Sequence, residues 1–460
     1  MFISYHKKFL FATYITMVEK ENIYVIIKLY KIIVEDTVKM KTKAVRLYGQ
    51  SDLRLEEFEL PEIKDNEILA RVVSDSICMS SYKAAIQGAN HKRVPNDIDK
   101  NPIIVGHEFC GDIVKVGAKW AHKFKEGSKF GIQPAINLKD NPYIAPGYSY
   151  QYIGGDATYI IIPNEVMEND CLIPYEGESY FKASLAEPMS CIIAGYHENF
   201  HSVYENHTHD MGIKEGGAVA ILAGVGPMGL GAVDYGIHCD RKPSLMVVTD
   251  IDQARLDRAA TLLTVEDAAK NGVKLVYVNT AAIEDPVAYM KELNGGKGFD
   301  DVFVYAPVAP LVEQGDALLG ENGCLNFFAG PTKTDFSAKF NFYDVHYAFH
   351  RITGTSGGNT SDLREALKMA GEGKINPSIM ISHVGGLDSV VDTTLNLPNI
   401  KGAKKLVYTH ISMPMTAIAD FEELGKTDKF FADLAEICAR HNGIWSDEAE
   451  KYLLANAKKI

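Results

Sequence analysis

Apolar and polar positions change their rhythm along this chain, and each change predicts a different kind of structure. Residues 43–75 break into short apolar runs separated by turn-formers, which predicts short strands, one of them at 68–73. Residues 78–86 predict a loop running into a helix, and 89–101 are polar without periodicity. Residues 103–105 lead into Gly106-His107-Glu108, and 110–117 alternate as a strand does. Further strands are expected at 127–132 and 158–162, around a loop at 137–155 rich in Pro, Gly and Tyr. This first part therefore predicts a mostly β domain with irregular connections. A helical pattern starts near Tyr180. From Gly217 the pattern becomes β-α-β-α, with strands at 219–223, 245–249, 274–278, 301–305, 324–329 and 351–354. Helical stretches such as 251–263 and 287–293 separate them. That alternation predicts a doubly wound parallel sheet covered on both faces, with a ligand at the carboxyl ends of its strands. After His383 come a helix at 387–395 and a strand at 405–409. The tail from Ile418 is helical, with Phe430, Leu434 and Ile437 on one face. The fold class is α/β.

The first strand of the alternating part runs straight into Gly224-Val-Gly226-Pro227-Met228-Gly229, a G-x-G-x-x-G spacing that opens a helix. The first glycine allows a tight turn, the second lets the backbone approach a pyrophosphate, and the third lets helix and strand pack closely. The phosphates would sit on free N–H groups at the helix N-terminus. The next strand ends in Asp250, 21 residues after Gly229, where a carboxylate can accept from ribose hydroxyls. Such an acid suits NAD(H) and repels the extra phosphate of NADP(H), which stays an alternative. Arg255, five residues on at the start of a helix, is a further cofactor-binding candidate that can also pair with solvent or an acid.

Residues 1–39 carry two apolar runs, 9–18 and 23–34, the second interrupted by Lys28 and Lys31. Neither reaches the roughly 18–20 residues of a membrane span. Met40 precedes what reads as the true first strand, and the upstream segment is expected to have no role in the fold. The expected organisation is a catalytic domain at 40–210, a dinucleotide domain at 211–383, and a return to the first domain with a helical extension at 384–460. The net charge of -13 argues against a phosphate-tracking nucleic-acid binder. Seven scattered cysteines with no C-x-x-C pair suit a reducing, cytoplasmic setting better than a disulfide framework.

Three polar groups in the first part could meet in space: Cys78 with Ser80, His107 with Glu108, and Glu187. Cysteine, histidine and carboxylate are competent zinc ligands. Residue types alone leave two readings open, a catalytic zinc or a buried thiol, a bonded core histidine and two surface acids. His197, His201, His207 and His209 lie close in sequence but lack a convincing ligand spacing, and are expected on a solvated helix end or loop.

From Met40 to about Thr409 the sequence resembles the medium-chain, zinc-dependent alcohol and polyol dehydrogenases. Ile77-Cys-Met-Ser-Ser81, Gly106-His-Glu108, Gly154-Gly-Asp-Ala-Thr-Tyr159, Ala186-Glu-Pro-Met-Ser190, the glycine motif and Asp250 occur in that family's order. The resemblance implies a β-rich GroES-like catalytic domain beside a Rossmann nucleotide domain. It implies Cys78 and His107 as ligands of one catalytic zinc, with Glu108 a ligand or exchangeable carboxylate and Glu187 a further ligand or a partner of the zinc's water. Ser80 matches the proton-relay hydroxyl. The closely spaced cysteines that often hold a structural zinc are missing between Gly117 and Gly154, so no structural zinc is expected. Homodimers or homotetramers, joined through the edge of the nucleotide domain, are implied as well.

A narrower resemblance is to the branch of L-sorbose 1-phosphate reductases, which interconvert that ketose phosphate with D-glucitol 6-phosphate. It rests on residues 77–83, 91–97 and 186–197 and on the helical extension. A phosphorylated substrate needs cations, and Lys83, Lys92 and Arg93 are the candidates. The alternatives are an NAD-dependent polyol or secondary-alcohol dehydrogenase with an unphosphorylated substrate, a zinc-free reductase of the quinone type, and a catalytically silent nucleotide-binding regulatory protein.

Overall fold

Ten consecutive residues, Ile68–Ile77, form the strand on which the first sheet is built, and all but one of them are buried. The structure, a computed structural model, describes residues 40–460, so the expectation for 1–39 lies outside the described residues. Both large sheets and the site lie in one compact unit, Lys43–Glu56 with Ile63–Ile460. In chain order the early strands are β1 (Lys41–Gly49), β2 (Asp52–Glu59), β3 (Ile68–Ile77), β4 (Ile103–Ile104), β5 (Cys110–Val116), β6 (Lys129–Ile132), β7 (Tyr159–Ile162) and β8 (Leu172–Tyr175). β3 pairs antiparallel with β5 and with β7. It runs four residues beyond the expected 68–73 because Ser74, Asp75 and Ser76 are polar yet fully buried, so the apolar signal stops before the strand does. Ser74 Oγ pairs with Ser184 Oγ at 2.8 Å, Ser76 Oγ donates to Glu108, and Asp75 Oδ1 accepts from the Glu108 N–H.

The segment after Tyr180 forms two helices, Tyr180–Ser184 and Ala186–Glu198, and the second carries Glu187 in its first turn. A hairpin follows, β9 (Phe200–Val203) against β10 (Thr208–Met211). The sequence signalled no strand here, because β10 is exposed throughout and carries no apolar alternation. The hairpin also corrects the reading of one of the four histidines, His201. His201 is buried, with Nδ1 2.9 Å from the Asn322 carbonyl and Nε2 3.2 Å from Asp301. His207 and His209 are exposed, and His197 on the preceding helix pairs with Asp362 at 3.0 Å.

The alternating part forms a six-stranded, all-parallel sheet from β11 (Ala218–Leu222), β12 (Leu245–Asp250), β13 (Lys274–Asn279), β14 (Phe299–Val304), β15 (Leu319–Phe327) and β16 (Arg351–Thr353). Its spatial order is β13-β12-β11-β14-β15-β16. The chain starts at the centre, winds outward through β12 and β13, then returns to β11's other side. The direction reverses between β11 and β14, and a crevice for a dinucleotide opens at such a switch point. Ala-Val-Ala-Ile-Leu in β11 is wholly buried, as a parallel strand covered on both faces must be.

The chain then rejoins the first sheet. β17 (Ile381–Gly386) and β18 (Lys404–Tyr408) run parallel, β18 lies antiparallel to β3, and β19 (Thr416–Ala417) closes the edge. The helix expected at 387–395 is split into a 3-10 turn, Leu387–Ser389, and a short α-helix, Val390–Leu395. The tail packs through Lys429–Arg440, where Leu434 and Ile437 are buried, and Asp447–Asn456. Among the described residues no helix is long and apolar enough to cross a membrane.

Candidate active site

The end of β3 delivers Cys78, and the turn before β5 delivers His107 and Glu108. The Cys78 thiol, the His107 imidazole and the Glu108 carboxylate each offer a donor atom within 4.8 Å of the other two. Thiolate, imidazole and carboxylate are the donors zinc takes, so this set fits that ion. Burial pushes the Cys78 thiol up, and Glu108 adds to it. Burial also holds His107 neutral by pulling its pKa down. A cation seated there would reverse the first effect by stabilising the thiolate.

Glu108 is fixed by its surroundings. Its backbone N–H donates to Asp75 Oδ1 at 3.0 Å. Its carboxylate accepts from Ser76 Oγ and from the buried ammonium of Lys404, the first residue of β18. Burial alone would raise this carboxyl, but Lys404, His107 and the two hydrogen bonds outweigh it and hold it below the usual range. Lys404 escaped the sequence reading, since it sits 296 residues from Glu108 and a lysine opening a strand reads as solvent-facing.

His107 is bracketed by hydroxyls. Ser81 Oγ lies 3.2 Å from Nδ1, while Ser80 Oγ and Tyr148 Oη lie 3.1 and 3.2 Å from Nε2. Ser80 Oγ also donates to Cys78 Sγ at 3.0 Å. Cys78, Ser80, His107, Glu108 and Tyr148 line a cavity of about 340 Å³ together with Glu187, Cys191 and Gln133. Glu187 is on this cavity but outside the close trio; the Cys191 thiol, one helical turn on, donates to its Oε1 at 3.7 Å. Burial pushes Glu187 up to about 7 against the pull of His107, with Glu108 adding to the rise.

Of the expected phosphate cations, Lys92 and Arg93 line the same cavity, with His91 between them and the helix before. Lys92 Nζ stands 5.1 Å from the Tyr143 ring centre, and the Arg93 guanidinium 5.4 Å from that of Tyr148. Lys83 is not on that cavity wall; its Nζ donates to the Gly330 carbonyl at 3.2 Å.

The glycine motif lies at the carboxyl end of β11. The left-handed residue of the turn is Ala223, at φ +54°. Gly224 is required for space instead: a Cβ there would come within 2.7 Å of Val248 Cγ1. At Gly229 a Cβ would meet the Gly224 carbonyl oxygen at 2.3 Å, the close helix–strand approach expected. At Gly226 a Cβ would meet only Arg255 Nη2, at 3.5 Å, which leaves the helix start open. Gly226 caps the helix Pro227–His238, whose first-turn N–H groups are free to take an anion. Met228, in that turn, also lines the cavity of the trio, so the two halves of the site adjoin.

Asp250 is buried at the end of β12. Its Oδ1 accepts from the backbone N–H groups of Ile251 and Asp252, and its Oδ2 lies 3.9 Å from Arg255 Nη1. Arg255, Arg258 and Lys401 line a second cavity of about 400 Å³ that also includes Pro227. A cleft with three cations beside an open helix start fits the pyrophosphate of a dinucleotide. The sequence reading missed Arg258 and Lys401, one on the outer face of a helix and one in a loop far along the chain.

Residues 64–169 match the alcohol dehydrogenase GroES-like domain, and residues 228–372 match the zinc-binding dehydrogenase family. Mannitol-1-phosphate 5-dehydrogenase of Aliivibrio fischeri (strain ATCC 700601 / ES114) is 51% identical over 414 residues, 90% of this chain and 97% of that protein. L-Sorbose 1-phosphate reductase of Klebsiella pneumoniae is 48% identical over 419 residues, 91% and 98% of the two chains. The crystal structure of 2R,3R-butanediol dehydrogenase from Bacillus subtilis shares the fold, with a TM-score of 0.63 at 20% identity over 80% of this chain and 99% of that one. The chain belongs to the zinc-binding, medium-chain polyol dehydrogenase family, and it is an oxidoreductase.

Proposed function

We propose that this protein transfers a hydride between NAD(H) and a hexitol phosphate or its ketose phosphate, with D-glucitol 6-phosphate and L-sorbose 1-phosphate as the pair. One observation carries the reading: the Cys78–His107–Glu108 trio and the cations Lys92 and Arg93 face a single cavity. The names of two relatives, each a dehydrogenase or reductase of a hexose-derived phosphate, support the same class.

Cys78 and His107 would hold the zinc, with Glu108 or Glu187 completing its protein ligands. When bound, that ion acts as a Lewis acid on the substrate oxygen. Lys404 and Ser76 hold the Glu108 carboxylate in place beside it. Ser80 Oγ, open to the cavity, would act as a relay: during oxidation it would accept the proton of the substrate hydroxyl as it passes its own to solvent in the cavity, and during reduction both transfers would run in reverse. Lys92 and Arg93 would pair with the phosphate dianion and fix which carbon faces the nicotinamide. The open helix start at Gly226, with Arg255, would hold the dinucleotide, and Asp250 Oδ2 would accept from its ribose. A cytoplasmic setting and assembly as a homodimer or homotetramer complete the proposal. The free edge β16, where Ile352 is exposed, is the seam for that assembly.

The test is NADH oxidation by the purified protein with L-sorbose 1-phosphate beside unphosphorylated L-sorbose. A strong preference for the ester is expected. Equal rates with both would replace the phosphate reading by that of a free-polyol dehydrogenase. Zinc-loaded protein inert toward both would void the substrate.

A further inference from the structure

The second hydroxyl on His107 Nε2 has no role in the mechanism above. Tyr148 is buried, and its hydroxyl is placed from both ends. Its backbone N–H donates to the Ala145 carbonyl at 3.2 Å. Ser149 Oγ accepts from the Ala145 N–H at 3.0 Å and donates to the Arg93 carbonyl at 2.7 Å, which ties the loop to the basic segment. Gly147 lets the loop close on the turn that carries His107, since a Cβ there would lie 2.0 Å from the Gly106 carbonyl oxygen. The phenol ring stacks on His91, with centres 5.8 Å apart at 13°.

Imidazole nitrogen offers a single lone pair in the plane of its ring, yet Ser80 Oγ and Tyr148 Oη both converge on Nε2. A metal ion that takes this lone pair leaves Ser80 its bond to Cys78 Sγ but takes from the Tyr148 hydroxyl its partner on His107. A buried phenol hydroxyl without a partner costs about 1–3 kcal/mol, so something in the cavity must accept from it. The adjacent oxygens of a polyol lie side by side, as the Ser80 and Tyr148 hydroxyls do on the cavity wall.

Resting on the metal and substrate readings above, we infer that Tyr148 is a specificity-determining residue: its phenol donates to the substrate hydroxyl next to the reacting carbon, while Ser80 serves the reacting oxygen. The site thereby selects polyols over simple secondary alcohols.

Tyr148→Phe keeps the ring on His91 and beneath Arg93 and removes only the hydroxyl. Zinc titration of metal-free protein comes first, followed by ultraviolet difference spectroscopy. The wild type should show a tyrosine signal as the ion enters, and the variant should lose that signal while binding zinc equally well. Calorimetry on zinc-loaded protein then compares D-glucitol 6-phosphate with its 4-deoxy analogue, which lacks the hydroxyl beside C5. The variant should bind the full ligand about 10–100-fold more weakly, as loss of a buried hydrogen bond predicts, and the deoxy analogue within about twofold of wild type. An equal loss for both ligands, or none for either, overturns the role of Tyr148 and leaves the metal and substrate readings standing. Wild-type protein that takes up no zinc, or binds zinc but neither ligand, overturns those readings instead, and this role with them.

Discussion

Replacing Glu450 by Gln tests how the helical tail is fastened to the catalytic sheet. Glu450 lies in the last helix and is only 3% exposed. Its Oε2 accepts from the Tyr180 N–H at 2.7 Å, and its Oε1 from the Phe181 N–H at 2.9 Å and the Tyr408 hydroxyl at 2.8 Å. It thus caps the helix Tyr180–Ser184, whose own N-cap residue Ser179 makes no side-chain capping bond. That helix leads directly into the one bearing Glu187. Glutamine keeps the size and one carbonyl oxygen, enough for the Phe181 and Tyr408 donors, but turns an amide toward the Tyr180 N–H. One buried donor is orphaned, at about 1–3 kcal/mol, while at pH 8 the variant is also relieved of a buried charge. The cost should grow in acid. Burial outweighs the three donors and pushes the Glu450 carboxyl up to about 7. A carboxyl raised on folding contributes stability that is complete below its unfolded pKa and is lost as the pH rises through its folded one. From the ordinary glutamate value to about 7, at about 1.4 kcal/mol per pH unit, most of about 3 kcal/mol appears between pH 8 and pH 5. Urea unfolding of wild type and Glu450→Gln at pH 5, 6, 7 and 8 should therefore show a gap that widens by about 2–3 kcal/mol toward acid. A gap that narrows toward acid would refute the reasoning, because it would mean that the three donors hold this carboxyl charged and low.

Cys78→Ala and His107→Ala should each lose zinc and turnover while NAD(H) binding, followed by nucleotide fluorescence, survives; a variant that keeps both metal and activity would remove the metal mechanism. Asp250→Ala should shift the ratio of NAD to NADP efficiency by about tenfold toward NADP, the worth of one ribose hydrogen bond to a carboxylate. An unchanged ratio in steady-state kinetics would assign the choice to Arg255 and Arg258. Lys92→Ala with Arg93→Ala should raise KM for a phosphorylated substrate by about 10–100-fold, as loss of charge-assisted hydrogen bonds implies, and hardly move that of a free polyol. Equal effects on both substrates would remove the phosphate site.

What could be read in the sequence follows from what each element must satisfy. β11 and β12 were legible because a strand covered on both faces can hold little but apolar side chains, and Ala-Val-Ala-Ile-Leu obeys. The end of β3 was not, because Ser74, Asp75 and Ser76 are buried polar residues whose partners, Ser184 and Glu108, lie far along the chain. Cys78, Ser80 and His107 could be singled out because their neighbours form motifs, and the structure brings them together. Tyr148 could not be, because it lies in a loop without periodicity and its meaning comes from the nitrogen it faces. Lys404 is the sharpest case. An unpaired ammonium in an apolar interior would cost several kcal/mol, so a lysine there is allowed only by an opposite charge in contact. That charge is Glu108, itself held by Ser76 and placed by Asp75. Each of these residues looks unremarkable in its own stretch of chain, where acids and lysines are expected in water. They make chemical sense only as a set, and the set exists only once β18 has come back to lie beside β3. The pairing of two distant strands is therefore what turns a carboxylate that reads as surface into one fixed beside Cys78 and His107.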